Sequence, residues 1–242
     1  MDNLLSVAAN NLLGNGAICL VWFSEVDRAG QLCMYYIDFI GAQKPNLLIK
    51  AVNNTGAETH IKYAPSTRFY LDDKENGNPW LTRLLFPVQC SERVETLDCI
   101  NGNHFVTRYV HYEGYYDGIE REFRGFGLVE QWDTEEIGII GTRINHEAAN
   151  FSLSSNALAI YTKTWFHIGV FVNQNTISRH MEHEYYSAAS LGSARFEKFA
   201  ESLLVDSILP SELVTTDEQK EACRALKGQV IRIEIYGCDS NY

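Results

Sequence analysis

The chain has 242 residues, 45% of them hydrophobic and 12% aromatic, and carries a net charge of −11 from 31 acidic and 20 basic side chains. That length and apolar content suit a packed globular core and exclude a disordered chain. The negative field repels phosphate backbones and anionic lipid, so neither nucleic acid nor a membrane surface is an expected partner, and no apolar run reaches the roughly 18 residues a membrane span needs.

In chain order, the start has an acid at Asp2 and no basic stretch, which predicts no cleavable secretory signal peptide. After the Gly14-Asn15-Gly16 turn, "AICLVWF" (17–23) reads as an apolar strand. "CMYYIDFIG" (33–41) and "NLLIKAVNN" (46–54) are the next two, followed by a hairpin signal at 53–56 and the alternating "AETHIKYAPS" (57–66). "LDDKENGNPW" (71–80) reads as a loop. "FPVQCSERVETLD" (86–98) and "HFVTRYVHYEG" (104–114) are strands turning at 101–103, and "IEREFRGFGLVEQWD" (119–133) is the longest alternating run. Helices are expected only late: one over 191–210, with Phe196, Phe199, Leu203 and Ile208 at helical spacing, and one over 215–228. The second carries a capping box of Thr215 and Glu218 and a C-terminal Gly228. "QVIRIEIYG" (229–237) closes the series as a strand. The predicted class is mainly β, with antiparallel strands and hairpins and a short helical insert near residues 191–227.

Three constellations could carry chemistry. Glu120-x-Glu122 has the spacing of the paired glutamates of mono-ADP-ribosyltransferases, in which one carboxylate steadies the nicotinamide ribose and the other polarises the acceptor. On a strand, residues i and i+2 share a face, so the same pattern arises wherever a strand is solvated on one side. The transferase also needs an upstream arginine strand and a Ser-Thr-Ser strand, for which "SLSSN" (152–156) is a poor, downstream substitute. His180 and His183, flanked by Glu182 and Glu184, would point to one side of a helix as metal ligands do, but the motif is not His-Glu-x-x-His. His167 reads as a packed or hydrogen-bonded histidine. No nucleophile elbow and no phosphate-binding glycine fingerprint occurs. Six scattered cysteines (Cys19, Cys33, Cys90, Cys99, Cys223 and Cys238) form no Cys-x-x-Cys pair and read as buried free thiols. "GYYDGIEREFRGFG" (114–127) reads instead as a hairpin turning at Tyr116-Asp117-Gly118, with Gly118 at positive φ.

Several long blocks occur in one order: "LLGNGAICLVW", "YIDFIGAQKPNLLIKAVNNTGAETHIKYAPSTRFYLDDKENGNPW", "FVTRYVHYEGYYDGIEREFRGFGLVEQWDTEE", "TKTWFHIGV", "SRHMEHEYY" and "EACRALKGQVIRIEIYG". Together they resemble the middle-to-C-terminal region of the B component of insecticidal Tc toxin complexes, TcdB-like proteins related to plasmid virulence B proteins and to Rhs/YD-repeat shell proteins. The resemblance runs from Leu12 to Gly237 and is weakest over 138–155 and 188–214. It implies that residues 1–25 are the end of a β-propeller and 26–242 a β region that begins a hollow shell around a toxic effector. It further implies a fragment of a longer protein, a C component as shell partner, an A component met through the propeller, and extracellular action after cytoplasmic synthesis. On this reading the chain is a non-catalytic scaffold with no catalytic, cofactor-binding or metal-binding residue. Trp22, Trp80, Trp132 and Trp165 would fill sheet-to-sheet contacts. The alternative is a small enzyme, either a transferase using Glu120 and Glu122 or a metal hydrolase using His180 and His183.

Overall fold

A computed structural model describes residues 4–24, 33–41, 44–137, 159–171, 181–186, 203 and 210–237. Its strands are β1 (Leu4–Asn10), β2 (Cys19–Ser24), β3 (Cys33–Asp38), β4 (Lys50–Val52), β5 (Ala57–Pro65), β6 (Gln89–Asp98), β7 (Asn103–Asp117), β8 (Glu122–Ile137), β9 (Ile160–Phe166) and β10 (Val230–Gly237). Helix α1 spans Ser66–Glu75 and α2 spans Thr216–Ala225. One sheet has the order β1-β2-β3 and the other β10-β9-β8-β7-β6-β5-β4. The pairs β1–β2, β2–β3, β4–β5, β5–β6, β6–β7 and β9–β10 are all antiparallel. The mainly β class with a short helix is therefore observed.

The chain divides into two compact units, 1–79 with 85–109 and 133–157, and 80–84 with 110–132 and 158–242. In the first, β2 pairs with β3 from Cys19↔Asp38 to Ser24↔Cys33. The turn before β2 is tied down by distant groups: the Thr67 hydroxyl donates to the Gly14 carbonyl, and Gln89 Nε2 donates to the Asn15 carbonyl at 2.6 Å. The β4–β5 turn is built by Asn53, whose Oδ1 accepts from the Thr55 and Ala57 N–H groups at 2.9 and 2.8 Å.

Helix α1 corrects the expectation that helices occur only late and that 71–80 is all loop. Its N-cap, Pro65, makes no side-chain cap hydrogen bond, so the usual start signal is missing. Tertiary contacts hold it instead. Ser66 Oγ accepts from the Val88 N–H at 3.0 Å, Arg68 pairs with Glu92 at 2.5 Å, and Phe69 is buried. Strands β1 and β9 were likewise not expected from the sequence.

In the second unit the core is built on Leu128, Trp165, Met181 and Tyr185, with Tyr112 and Leu203 packed against it. Trp165 and Tyr185 meet edge to face at 5.0 Å, and Trp165 Nε1 donates to Glu184 at 3.1 Å. Trp80 is also buried, but Trp22 and Trp132 are half-buried and stack along their sheets on Tyr35 and Tyr161, at 5.8 and 4.9 Å. Helix α2 carries the expected capping box, Thr215 Oγ1 with the Glu218 N–H and Glu218 with the Thr215 N–H, and Gly228 lies beyond its end at φ +80°. The helix expected over 191–210 lies outside the described residues except for Leu203 and Pro210.

Candidate functional site

The segment 114–127 is a hairpin, as expected, formed by the end of β7, a turn over 118–121 and the start of β8. Asp117 organises the corner. Its Oδ1 accepts from the Ile119 and Glu120 N–H groups at 2.9 and 3.1 Å, and its Oδ2 pairs with Arg124 at 2.8 Å. The left-handed residue is Arg121 at φ 53°, not Gly118, whose φ is not positive and whose missing Cβ would meet nothing. The expectation that Gly118 carries the strain is thereby corrected: the turn is four residues long and its strain falls on the last of them. Gly114 is required for packing, since a Cβ there would sit 3.0 Å from Leu84, Phe126 and Trp80.

Glu120 and Glu122 do not form a shared strand face. Glu120 lies exposed in the turn, whereas Glu122 opens β8 half-buried. Glu122 accepts from Lys227 Nζ at 2.7 Å and from Arg224 Nε at 3.1 Å, and lies 3.5 Å from Arg124. Hydrogen bonding from Lys227, with the charges of Arg224 and Arg124, holds its carboxylate below the ordinary value. Arg124 is buried and also donates to the Gly169 carbonyl. A carboxylate clasped by three cations is a poor proton acceptor, and the arrangement ties the hairpin base to α2 and to the segment after β9.

A second carboxylate, this one buried, is held by backbone N–H groups instead of cations. Glu113 adopts φ 55° and accepts from the Leu81 and Thr82 N–H groups at 2.9 and 2.8 Å, while the Thr82 hydroxyl donates to the Gly114 carbonyl at 3.0 Å. Beside it, His111 rests on Phe126 at 5.0 Å, and burial pushes its imidazole down to about 4. Glu130 accepts from Tyr112 at 2.8 Å, Tyr161 at 2.5 Å and Lys163 at 3.0 Å. These networks carry no periodicity, so sequence patterning gave no signal for them.

Among the candidate ligands, His183 is exposed on the helical turn 181–184, and His180 lies outside the described residues. Among the described residues, no group of three or more His, Cys, Asp or Glu could hold a metal ion. The backbone of His167 bonds to Gln229 and Gly228 at 2.8 Å. Cys19, Cys90 and Cys223 are buried free thiols as expected, and burial pushes Cys90 up to about 12, but Cys99 is exposed. The segment 152–156 lies outside the described residues.

The profile of the insecticide toxin TcdB middle/N-terminal region matches residues 5–148. The chain belongs to this TcdB toxin family. The sequence blocks were read as middle-to-C-terminal; the matching profile is that of the middle/N-terminal region. The fold agrees with this assignment. The chain is similar to one chain of the TcdB2–TccC3–Cdc42 crystal structure, with TM-score 0.72 and 25% identity over 98% of this chain and 10% of the other. It is similar to a chain of the Photorhabdus luminescens Tc holotoxin pore carrying a TccC3 mutation, with TM-score 0.71 and 26% identity over 98% and 10%. A TcdB2–TccC3 crystal structure shares the fold at TM-score 0.68 and 24% identity, over 98% and 11%. The chain thus spans about a tenth of the length of the chains it resembles. No curated protein matches it.

Proposed function

We propose that this chain is a non-catalytic structural segment of a Tc-type toxin B component, contributing β-sheet to a shell that encloses a toxic effector and takes a C component as its partner. The observation that carries the proposal is the match of 98% of the chain to part of a TcdB2 complex with TccC3. The side-chain chemistry supports it: Glu122 is held by Lys227, Arg224 and Arg124, and Glu113 by two backbone N–H groups, so both serve architecture. The division at residue 25 belongs to the same proposal, as the point where propeller sequence gives way to shell sequence. So do contact with an A component through the propeller and action outside the cell.

The test is to purify the chain and mix it with a TccC3-type C component, following mass by size-exclusion chromatography with light scattering. A defined complex is expected. A folded chain that ignores the C component, or a turnover signal that Glu120→Gln abolishes without unfolding, would count against the shell reading.

A further inference from the structure

Residues 80–84 cross β7 as a strap with no regular secondary structure of its own. Pro79 and Pro87 flank the segment, and its N–H groups turn to a side chain for acceptors. Leu81 and Thr82 donate to the Glu113 carboxylate, the Thr82 hydroxyl donates to the Gly114 carbonyl, and the Tyr116 N–H returns a bond to the Arg83 carbonyl at 3.1 Å. These four bonds fall within residues 113–116 of β7. Trp80 and Leu84 close over the same spot, where the missing Cβ of Gly114 leaves room for them and for Phe126. Trp80 meets Phe126 edge to face at 6.2 Å, and His111 rests on the same Phe126 ring at 5.0 Å. One aromatic ring of β8 is thus shared between the strap and an imidazole.

The ionisable groups around that imidazole offer a positive charge no free counter-ion. Glu113, two residues along β7, is taken up by the strap. Alternation turns Tyr112 to the opposite face, where it bonds to Glu130 of β8. Arg124 of β8 pairs with Asp117 and donates to the Gly169 carbonyl. Tyr109, one step back along β7, is kept a neutral phenol by burial and by Asp133. Burial alone pushes His111 down, with no charged neighbour contributing.

We propose that the strap is released by acid: protonation of His111 lifts residues 80–84 off β7 while the core around Trp165 stays folded. With the strap lifted, Phe126 loses Trp80 and Leu84 and water reaches the imidazole. The ring then returns from about 4 to its ordinary 6.5. The closed strap therefore keeps its full advantage above 6.5 and loses it as the pH falls towards 4. Between about pH 7 and pH 5 the open form should gain roughly 20-fold over the closed one. This inference is independent of the shell reading.

Hydrogen exchange of the full chain, followed by mass spectrometry at about pH 7 and pH 5 and corrected for the intrinsic rate at each, tests it. Peptides covering 80–84 should lose protection by roughly 20-fold on acidification while those covering 160–166 keep theirs. His111→Phe, whose ring stays neutral, should abolish the pH dependence in the strap. If that variant does not fold, His111→Leu is read in the same way. Equal protection of the strap at both pH values overturns the proposal, and so does a loss shared with 160–166, which is global unfolding. Release that persists without His111 also overturns it and assigns the trigger to Glu113.

Discussion

At Glu113 a single side chain explains its own backbone strain. A non-glycine residue in the left-handed region costs roughly 1–2 kcal/mol, and here two hydrogen bonds from backbone N–H groups to the same carboxylate offset that cost. Glu113→Ala removes the acceptor and keeps the strain, and should destabilise by about 1–3 kcal/mol in urea unfolding. Glu113→Gly also removes the acceptor but relieves the strain, so it should be milder by about 1 kcal/mol, the reverse of the usual order in a strand. His111 supplies a pH dependence of definite sign. Its folded value lies near 4 against an ordinary 6.5, so the unfolded chain takes up the proton first. Its stabilisation is complete above 6.5 and is lost as the pH falls towards 4, by on the order of 3 kcal/mol. The difference in stability between wild type and His111→Phe should therefore narrow steadily through that window, and a constant difference would show that the histidine does not stay neutral.

The two helices divide what was legible from what was not. Helix α2 was readable because its start is written in local chemistry, Thr215 and Glu218 capping each other, and its end by Gly228. Thr215→Ala should cost about 1 kcal/mol, measured by thermal or urea unfolding. Helix α1 was unreadable because Pro65 supplies no cap hydrogen bond and because its partners Val88, Glu92 and Gly14 are distant in sequence. The hairpins β4–β5, β6–β7 and β7–β8 were visible through their turn residues, whereas β1 has no turn signal before it. For the candidate site, pattern reasoning found the right fourteen-residue stretch (114–127) but misassigned its parts. It placed Glu120 on a strand and positive φ at Gly118, because turn length is set by three-dimensional closure and not by the Tyr-Asp-Gly corner alone.

For the molecule as a whole, family membership and the carboxylate networks point the same way. Of the two glutamates that first suggested catalysis, Glu122 is held by Arg224 and Lys227 with Arg124 beside it and joins β8 to α2, whereas Glu120 lies exposed in the turn. Glu122→Gln should lower the melting temperature at neutral pH. Because the folded carboxylate titrates below its ordinary 4.5, that stabilisation is present above 4.5 and is lost as the pH falls through the lower folded value. Added salt should shrink the gap between variant and wild type, since Lys227 and Arg224 are partly exposed.

The same joint has a kinetic consequence. Glu122 bonds to Arg224 and Lys227 across 102 and 105 residues of chain, so the clasp closes only after nearly half the polypeptide has been gathered in. We expect a contact that closes so long a loop to form after the folding transition state and therefore to act mainly on unfolding. Stopped-flow measurements on Glu122→Gln should accordingly show faster unfolding with an unaltered refolding limb, making the hairpin's first glutamate on β8 a latch on the lifetime of the native state.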